Sequence, residues 1–211
     1  MKKKIAILGS TGSIGKSTLD IVRKNKKNFD VVFLSANNNY KKLIQQAKEF
    51  NVKNVLIKNI KFYEATKNKL KKNKTKVHTG NTSLENIISK KIDFTMASIV
   101  GVAGLQPTLD AIKISKTVAM ANKESIICGW EIMSKYIKKY KTKVLPVDSE
   151  HFSIMELTKN IKDEEIQEII ITASGGPFLN FPKSKLNNVK PSQAIKHPNW
   201  QMGKKISTDS A

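Results

Sequence analysis

The feature that most constrains the fold stands at the start of the chain. A short apolar run, Lys3 to Leu8, passes directly into Gly9-Ser-Thr-Gly12-Ser-Ile-Gly15, and Ser17 to Arg23 then has helical character. Glycines three apart let the backbone turn tightly and bring its N–H groups close to a pyrophosphate at the positive end of the following helix. Strand, glycine turn and helix in this order form the opening unit of a dinucleotide-binding α/β domain. A tight turn without a ligand has the same spacing, so the context of strand and helix carries the reading.

The alternation continues for most of the chain. Strands are expected at Val31–Ser35, Val52–Ile57, Lys76–His78, Asp93–Ile99, Thr117–Met120 and Lys143–Val147. Helices are expected between them at Lys41–Phe50, Tyr63–Lys72, Leu84–Lys90, Leu105–Ile114 and Glu124–Lys139. Repeated βα units imply a parallel sheet covered on both faces. The fold class is therefore α/β, a Rossmann-like, doubly wound, mostly parallel sheet. A boundary near Pro146 divides a nucleotide-binding domain, 1–146, from a second part, 147–211, whose polar and aromatic residues on irregular backbone suit ligand binding. The second part should hold a short helix (Phe152–Leu157), an acidic stretch (Asp163–Glu168), a strand (Ile169–Ala173) and loops carrying Pro177, Pro182, Pro191 and Pro198.

Composition excludes several function classes. With 211 residues of which 39% are hydrophobic, the chain can bury a sizeable core. No apolar run approaches the roughly 20 residues of a membrane span, so neither a membrane partner nor a secretory leader is expected. Cys128 is the only cysteine, which excludes an internal disulfide or a cysteine-based zinc site and fits a cytoplasmic location. The net charge of +21 resembles a nucleic-acid footprint, yet Arg23 is the only arginine among 38 basic residues. Base-edge readers and phosphate forks favour the guanidinium. The lysines read instead as solvated helix faces that attract anionic metabolites, with no specific nucleic-acid partner.

Later segments carry the candidate chemistry. The second strand ends in Ser35-Ala-Asn37-Asn38-Asn39 with Lys41 and Lys42 beyond, where an NAD site normally has a carboxylate for the ribose 2′-hydroxyl. Nothing there repels a 2′-phosphate, which favours NADP. Asp148-Ser149-Glu150-His151 follows a strand, and two carboxylates one residue apart can share Mg²⁺ or Mn²⁺, or else cap a helix. Ser174-Gly-Gly-Pro suits a phosphate or sugar hydroxyls, or is a simple turn. His197-Pro-Asn-Trp200-Gln-Met-Gly203 has the composition of a loop that closes over a ligand, or of a packed indole beside a surface histidine. Asn122-Lys123-Glu124 stands where a strand passes into a helix.

In their order these motifs resemble the 1-deoxy-D-xylulose 5-phosphate reductoisomerase family. The resemblance rests on GSTGSIG (Gly9–Gly15), STLD (Ser17–Asp20), IVG (Ile99–Gly101), ANKES (Ala121–Ser125), LPVDSEH (Leu145–His151), SGGPF (Ser174–Phe178) and HPNWQMGKKIS with DSA (His197–Ala211). It implies an NADPH- and divalent-metal-dependent enzyme that isomerises and reduces a phosphorylated deoxy-ketose to 2-C-methyl-D-erythritol 4-phosphate, in non-mevalonate isoprenoid synthesis. It further implies that Thr11, Gly12, Ser13 and Ile14 hold the cofactor's pyrophosphate region and Asn37, Asn38 and Asn39 its adenosine phosphate. Asn122, Glu124 and Gly203 would complete that site. Asp148 and Glu150 would ligate the metal, while Lys123, Ser149, Glu150, Ser174, His197 and Ser210 contact substrate and Trp200 covers it. The resemblance implies that 147–211 begins an α+β catalytic domain that binds metal and substrate; Lys123, His197, Asp148 and Glu150 are the implied catalytic set, and a homodimer is expected of the full-length protein.

The chain departs from the family pattern in two places. Asn37 and Asn38 stand where glycine and a basic residue are common, so Lys41 or Lys42 becomes a candidate for the 2′-phosphate. The chain also stops at Ala211, before the family's Asn-Lys-x-x-Glu segment, which implies an N-terminal fragment with little or no turnover alone. Two other readings compete: a different NADP-dependent dehydrogenase, such as an aldehyde dehydrogenase acting on an acyl phosphate, which would need a catalytic thiol although Cys128 falls in an expected helix, and a basic nucleic-acid-binding module, which leaves the glycine turn and acidic pair unexplained.

Overall fold

The computed structural model describes residues 1–171, 174–199 and 207–208. Seven strands, β1 (Lys3–Leu8), β2 (Phe29–Ala36), β3 (Asn54–Ile57), β4 (Lys76–Thr79), β5 (Ile92–Ala97), β6 (Ser115–Met120) and β7 (Lys143–Pro146), form one sheet. Their order is β4-β3-β2-β1-β5-β6-β7, and each neighbouring pair is parallel. The helices are α1 (Ser13–Lys24), α2 (Tyr40–Glu49), α3 (Tyr63–Leu70), α4 (Leu84–Ile87), α5 (Leu105–Ile114), α6 (Lys123–Tyr140), α7 (Ser149–Thr158) and α8 (Pro191–Ala194).

The strands' two-residue period assigns each side chain to a face. Ile5 and Ile7 enter a core with Leu19 and Val22 of α1, Leu43 and Ala47 of α2 and Leu70 of α3. Ala6 and Leu8 enter another with Phe33, Leu84 of α4, Leu109 and Ile112 of α5 and Met133 of α6. Phe33, Ile7 and Leu34, at the centre of the sheet, have no solvent exposure. Truncating Phe33 to alanine would cost about 3–5 kcal/mol.

The chain divides into two compact units, Met1–Phe152 and Ser153–Ala211. The first contains the whole sheet. In the second, the described residues form short helical turns, including Gly176–Phe178 and Lys183–Asn188, with Phe178 and Phe181 edge to face at 5.6 Å.

Several elements differ from the sequence expectation, among them α7, which begins at Ser149 rather than Phe152 because Asp148 caps it. Helix α1 begins at Ser13 rather than Ser17, because Gly12 is already extended (φ −74°, ψ 176°) and acts as its N-cap. Helix α4 ends at Ile87, where Ile88 turns extended (φ −116°, ψ 98°). The strand expected at Ile169–Ala173 is not formed over Ile169–Ile171, which lie outside regular structure at 55%, 73% and 63% exposure. Isoleucine favours strands, but a strand requires a neighbour to accept its ladder, and the second unit has no strand among its described residues. Thr172 and Ala173 lie outside the described residues.

Candidate nucleotide and metal site

Strand order locates the crevice. From β1 the chain winds outward to β4, then returns to β5 on the other side of β1, so the reversal falls between β1 and β5. Open α/β sheets bind ligands outside the carboxyl ends of the strands at such a point. Two loops flank it here: the glycine turn after Leu8, and Ser98–Gly104 after Ala97. They are tied at their roots, with Ser98 Oγ donating to the Leu8 carbonyl at 2.6 Å.

Two glycines make the turn possible. Gly9 has φ +79°, and a Cβ there would stand 2.9 Å from the Ser98 carbonyl oxygen. A Cβ on Gly15 would lie 2.4 Å from the Gly9 carbonyl oxygen, so glycine lets α1 start directly against the turn. No side chain caps α1 at Gly12, and the first turn has no acidic residue. Gly12, Ser13 and Ile14 are exposed and Thr11 is partly so, which leaves a positive helix end facing outward behind a glycine turn.

Asn37, Asn38 and Asn39 are exposed at the end of β2, and each has a separate local task. Asn39 Oδ1 caps α2 by accepting from Lys42 N–H at 3.1 Å. Asn38 Oδ1 accepts from Asn59 Nδ2 at 2.8 Å, while the Asn37 carbonyl accepts from Asn59 N–H at 3.2 Å. Lys41 is exposed, and Lys42 Nζ donates to Gln45 Oε1 at 3.0 Å.

Asn122 is 2% exposed, and its side chain is occupied by protein. Its amide donates to the carbonyls of Ile99 and Gly101, and its Oδ1 caps α6 by accepting from Ser125 N–H at 3.0 Å. It joins the loop after β5 to the helix after β6, leaving main-chain groups as its means of touching a ligand. Lys123 is exposed at the first position of α6, beside the partly buried Glu124.

Asp148 follows β7 and caps α7: its Oδ1 accepts from His151 N–H at 2.9 Å and also meets the His151 ring Nδ1. Burial pushes the Asp148 carboxyl up, but the hydrogen bonds from His151 and that ring's charge outweigh it and hold the group below the usual carboxylate range. Ser149 Oγ donates to Glu150 Oε2 at 2.9 Å, and the Glu150 carboxylate is exposed. Asp148 Oδ2 and Glu150 Oε1 are thus two hard oxygens outside these bonds. That donor set fits Mg²⁺ or Mn²⁺, which take one or two carboxylates and fill the remaining positions with water and substrate oxygens. Among the described residues no three His, Cys, Asp or Glu side chains cluster as a closed site.

In the second unit the fold unites two candidates 23 residues apart: His197 Nε2 lies 3.0 Å from Ser174 Oγ. Asn199 N–H donates to His197 Nδ1 at 3.2 Å. A neutral ring accepting at Nδ1 carries its proton on Nε2, so His197 donates to the serine. Trp200, Gly203 and Ser210 lie outside the described residues. The sequence reading missed Ser10, Ser35 and Gln46, which brace the turn from behind. The available signal was a glutamine on the apolar face of α2, spaced with Leu43, Ala47 and Phe50.

An uncapped helix behind a glycine turn, at the switch point of a doubly wound parallel sheet, defines an α/β protein of the Rossmann-like class. The family model described as 1-deoxy-D-xylulose 5-phosphate reductoisomerase matches residues 5–129, and that for the same enzyme's C-terminal domain matches residues 144–211. The chain belongs to the 1-deoxy-D-xylulose 5-phosphate reductoisomerase family. The reductoisomerase of Pelagibacter ubique (strain HTCC1062) is 54% identical over 211 residues, covering 99% of this chain and 54% of its own length. That of Wolbachia pipientis subsp. Culex pipiens (strain wPip) is 45% identical, with coverage of 99% and 54%. The chain thus spans about half the length of the curated relatives it matches. Among solved structures, the Zymomonas mobilis enzyme in complex with NADPH superposes with a TM-score of 0.91 at 38% identity, covering 100% of this chain and 54% of that one. A reductoisomerase in complex with NADPH, fosmidomycin and magnesium gives 0.84 at 35%, with coverage of 99% and 54%.

Proposed function

We propose that this chain supplies the NADPH site and two metal ligands of a 1-deoxy-D-xylulose 5-phosphate reductoisomerase, which isomerises and reduces its substrate to 2-C-methyl-D-erythritol 4-phosphate. The observation that carries the reading is the order of groups along the carboxyl edge of the sheet. Asn37–Asn39 follow β2, the glycine turn follows β1, Ser98–Gly104 follow β5, Asn122–Glu124 follow β6, and Asp148 and Glu150 follow β7. Adjacent strands lie about 4.8 Å apart, so Asp148 stands roughly 14 Å along the edge from the turn. A dinucleotide with adenosine at β2 and pyrophosphate at β1 would direct its nicotinamide toward β5 and β6, beside the carboxylates at β7. The complexes of the similar enzymes with NADPH and with magnesium support the same assignment.

Each group then has a physical task. The N–H groups of Thr11 to Ile14 and the end of α1 neutralise pyrophosphate charge. Asn122 holds the Ile99–Gly101 loop in one conformation. Asp148 and Glu150 would hold the metal, which supplies Lewis acidity at the substrate's carbonyl and neighbouring hydroxyl. Lys123 offers an ammonium at the carboxyl edge of the sheet, and Ser174, held by His197, offers its hydroxyl as a donor for a sugar phosphate. Trp200 covers the substrate and Ser210 contacts it in this reading.

The test combines NADPH titration by nicotinamide fluorescence with Mn²⁺ titration by electron paramagnetic resonance, in wild type and Asp148→Asn. Asparagine caps helices as well as aspartate does, so the substitution keeps α7 and removes a charged ligand. Saturable NADPH binding, with Mn²⁺ affinity falling about tenfold at unchanged melting temperature, supports the reading. Absence of NADPH binding refutes the nucleotide assignment, and unchanged Mn²⁺ affinity refutes the metal assignment.

A further inference from the structure

The geometry points to Gln46, on α2, as a positioning residue that sets the direction of a phosphate-binding N–H in the glycine turn. This rests on the NADPH reading of the turn and adds a residue that touches no ligand.

Gln46 is 3% exposed and Ser10 is fully buried. Ser10 Oγ donates to Gln46 Oε1 at 2.8 Å, and Gln46 Nε2 donates to the Ser10 carbonyl at 2.9 Å. The orientation of the amide follows from chemistry: a carbonyl can only accept, so the NH₂ group must face it, and the hydroxyl turns to donate to the remaining oxygen. The main chain on the other side is fixed as well, since Gly9 N–H donates to Ser35 Oγ at 3.1 Å and Ser10 N–H to the Ser35 carbonyl at 2.8 Å.

The consequence lies one atom further along the chain. No peptide bond among the described residues is cis, and in a trans peptide the C=O and the next N–H point in opposite directions. Because Gln46 holds the Ser10 carbonyl toward α2, the Thr11 N–H is held away from α2. Thr11 is the first residue of the proposed phosphate-binding stretch. A side chain with no donor at position 46 frees the Ser10–Thr11 peptide to rotate and loses that aim. Gln46 also lies two turns, about 10 Å, from Asn39 at the start of α2, so the clamp joins the pyrophosphate end of the site to the adenosine end.

The experiment compares wild type, Gln46→Met and Gln46→Glu in the 211-residue chain. Methionine keeps the length and removes both hydrogen bonds. Glutamate keeps an acceptor for the Ser10 hydroxyl and, once ionised, presents no donor to the carbonyl; because burial favours the protonated acid, its binding is read at pH 9 as well as pH 7. Dissociation constants are measured for NADPH, for ADP, which engages the pyrophosphate turn, and for 2′-AMP, which engages only the adenosine end. Thermal melts identify the temperature at which each variant is folded. The expected result is a roughly tenfold loss for NADPH and ADP with 2′-AMP changed less than about twofold, in both variants. Unchanged NADPH and ADP affinities in a folded variant overturn the proposal. An equal loss for all three ligands also overturns it, because that pattern marks general loosening rather than a misdirected N–H. Failure of the wild type to bind NADPH rejects the underlying reading, a result distinct from either.

Discussion

Replacing Gly15 by alanine puts a methyl group where the backbone of the turn already stands. The new Cβ would lie 2.4 Å from the Gly9 carbonyl oxygen, 2.6 Å from Ser10 Cα and 2.8 Å from the Ser10 carbonyl carbon. All three are main-chain atoms, and Gly9 and Ser10 are anchored to Ser35, so no flexible side chain can yield. Ordinary contact begins near 3.4 Å, which requires α1 to retreat by about 1 Å. Such overpacking costs about 1–3 kcal/mol, and alanine's advantage over glycine inside a helix returns about 0.5–1 kcal/mol. The net expectation is a loss of about 1–2 kcal/mol, or a melting temperature lower by roughly 3–6 °C. Urea unfolding followed by circular dichroism measures it, with the exposed Ser17→Ala on the same helix as a control expected within about 0.5 kcal/mol of wild type. NADPH affinity should fall too, because the helix end moves away from the turn it completes. A Gly15→Ala chain as stable as wild type would show that the close approach of α1 to the turn is not what requires glycine.

Two further perturbations test other parts of the account. Asn122→Ala removes the donors to Ile99 and Gly101 and the cap of α6, and should cost about 2–4 kcal/mol in urea unfolding. The Glu49 carboxyl is held below its ordinary value of 4.5, chiefly by its hydrogen bond from Arg23, with burial opposing. A lowered folded-state value means the stabilisation is complete above that ordinary value and disappears as pH falls through the lowered one. Unfolding measured from pH 7 down to pH 3 should therefore show a shallower acid loss in Glu49→Gln than in wild type. The difference should be small, since both side chains are partly exposed, and identical slopes would remove the pair from the account.

The centre of the sheet is legible in the sequence because its inner strands are buried on both faces. Ile5 to Leu8 and Val31 to Ala36 read as short apolar runs, and the glycine turn fixed where the first of them ends. Helix α5 was recovered at both ends, where Gly104 and Ser115 interrupt an apolar stretch. The start of α1 was not, since Ser13 to Lys16 have neither strong helix propensity nor a side-chain cap. Ile169–Ile171 show the limit of composition: β-branched residues favour a strand, and only a neighbouring strand can complete one. The Ser10–Gln46 clamp spans 36 residues and depends on where α2 lies against the turn, which local pattern does not encode. The local pattern fits Asp148 either as a metal ligand or as a helix cap, and the structure shows the cap formed.

The central claim is that NADPH seats its pyrophosphate on the main chain at the start of α1. Backbone amide shifts of the isotopically labelled chain, recorded during NADPH titration, test it residue by residue. The account predicts saturable shifts at Thr11, Gly12, Ser13 and Ile14, with smaller ones at Asn37–Asn39 and little change at the far end of α6 around Tyr136. Shifts confined to the lysine-rich face of α3, with the glycine turn unmoved, would contradict it.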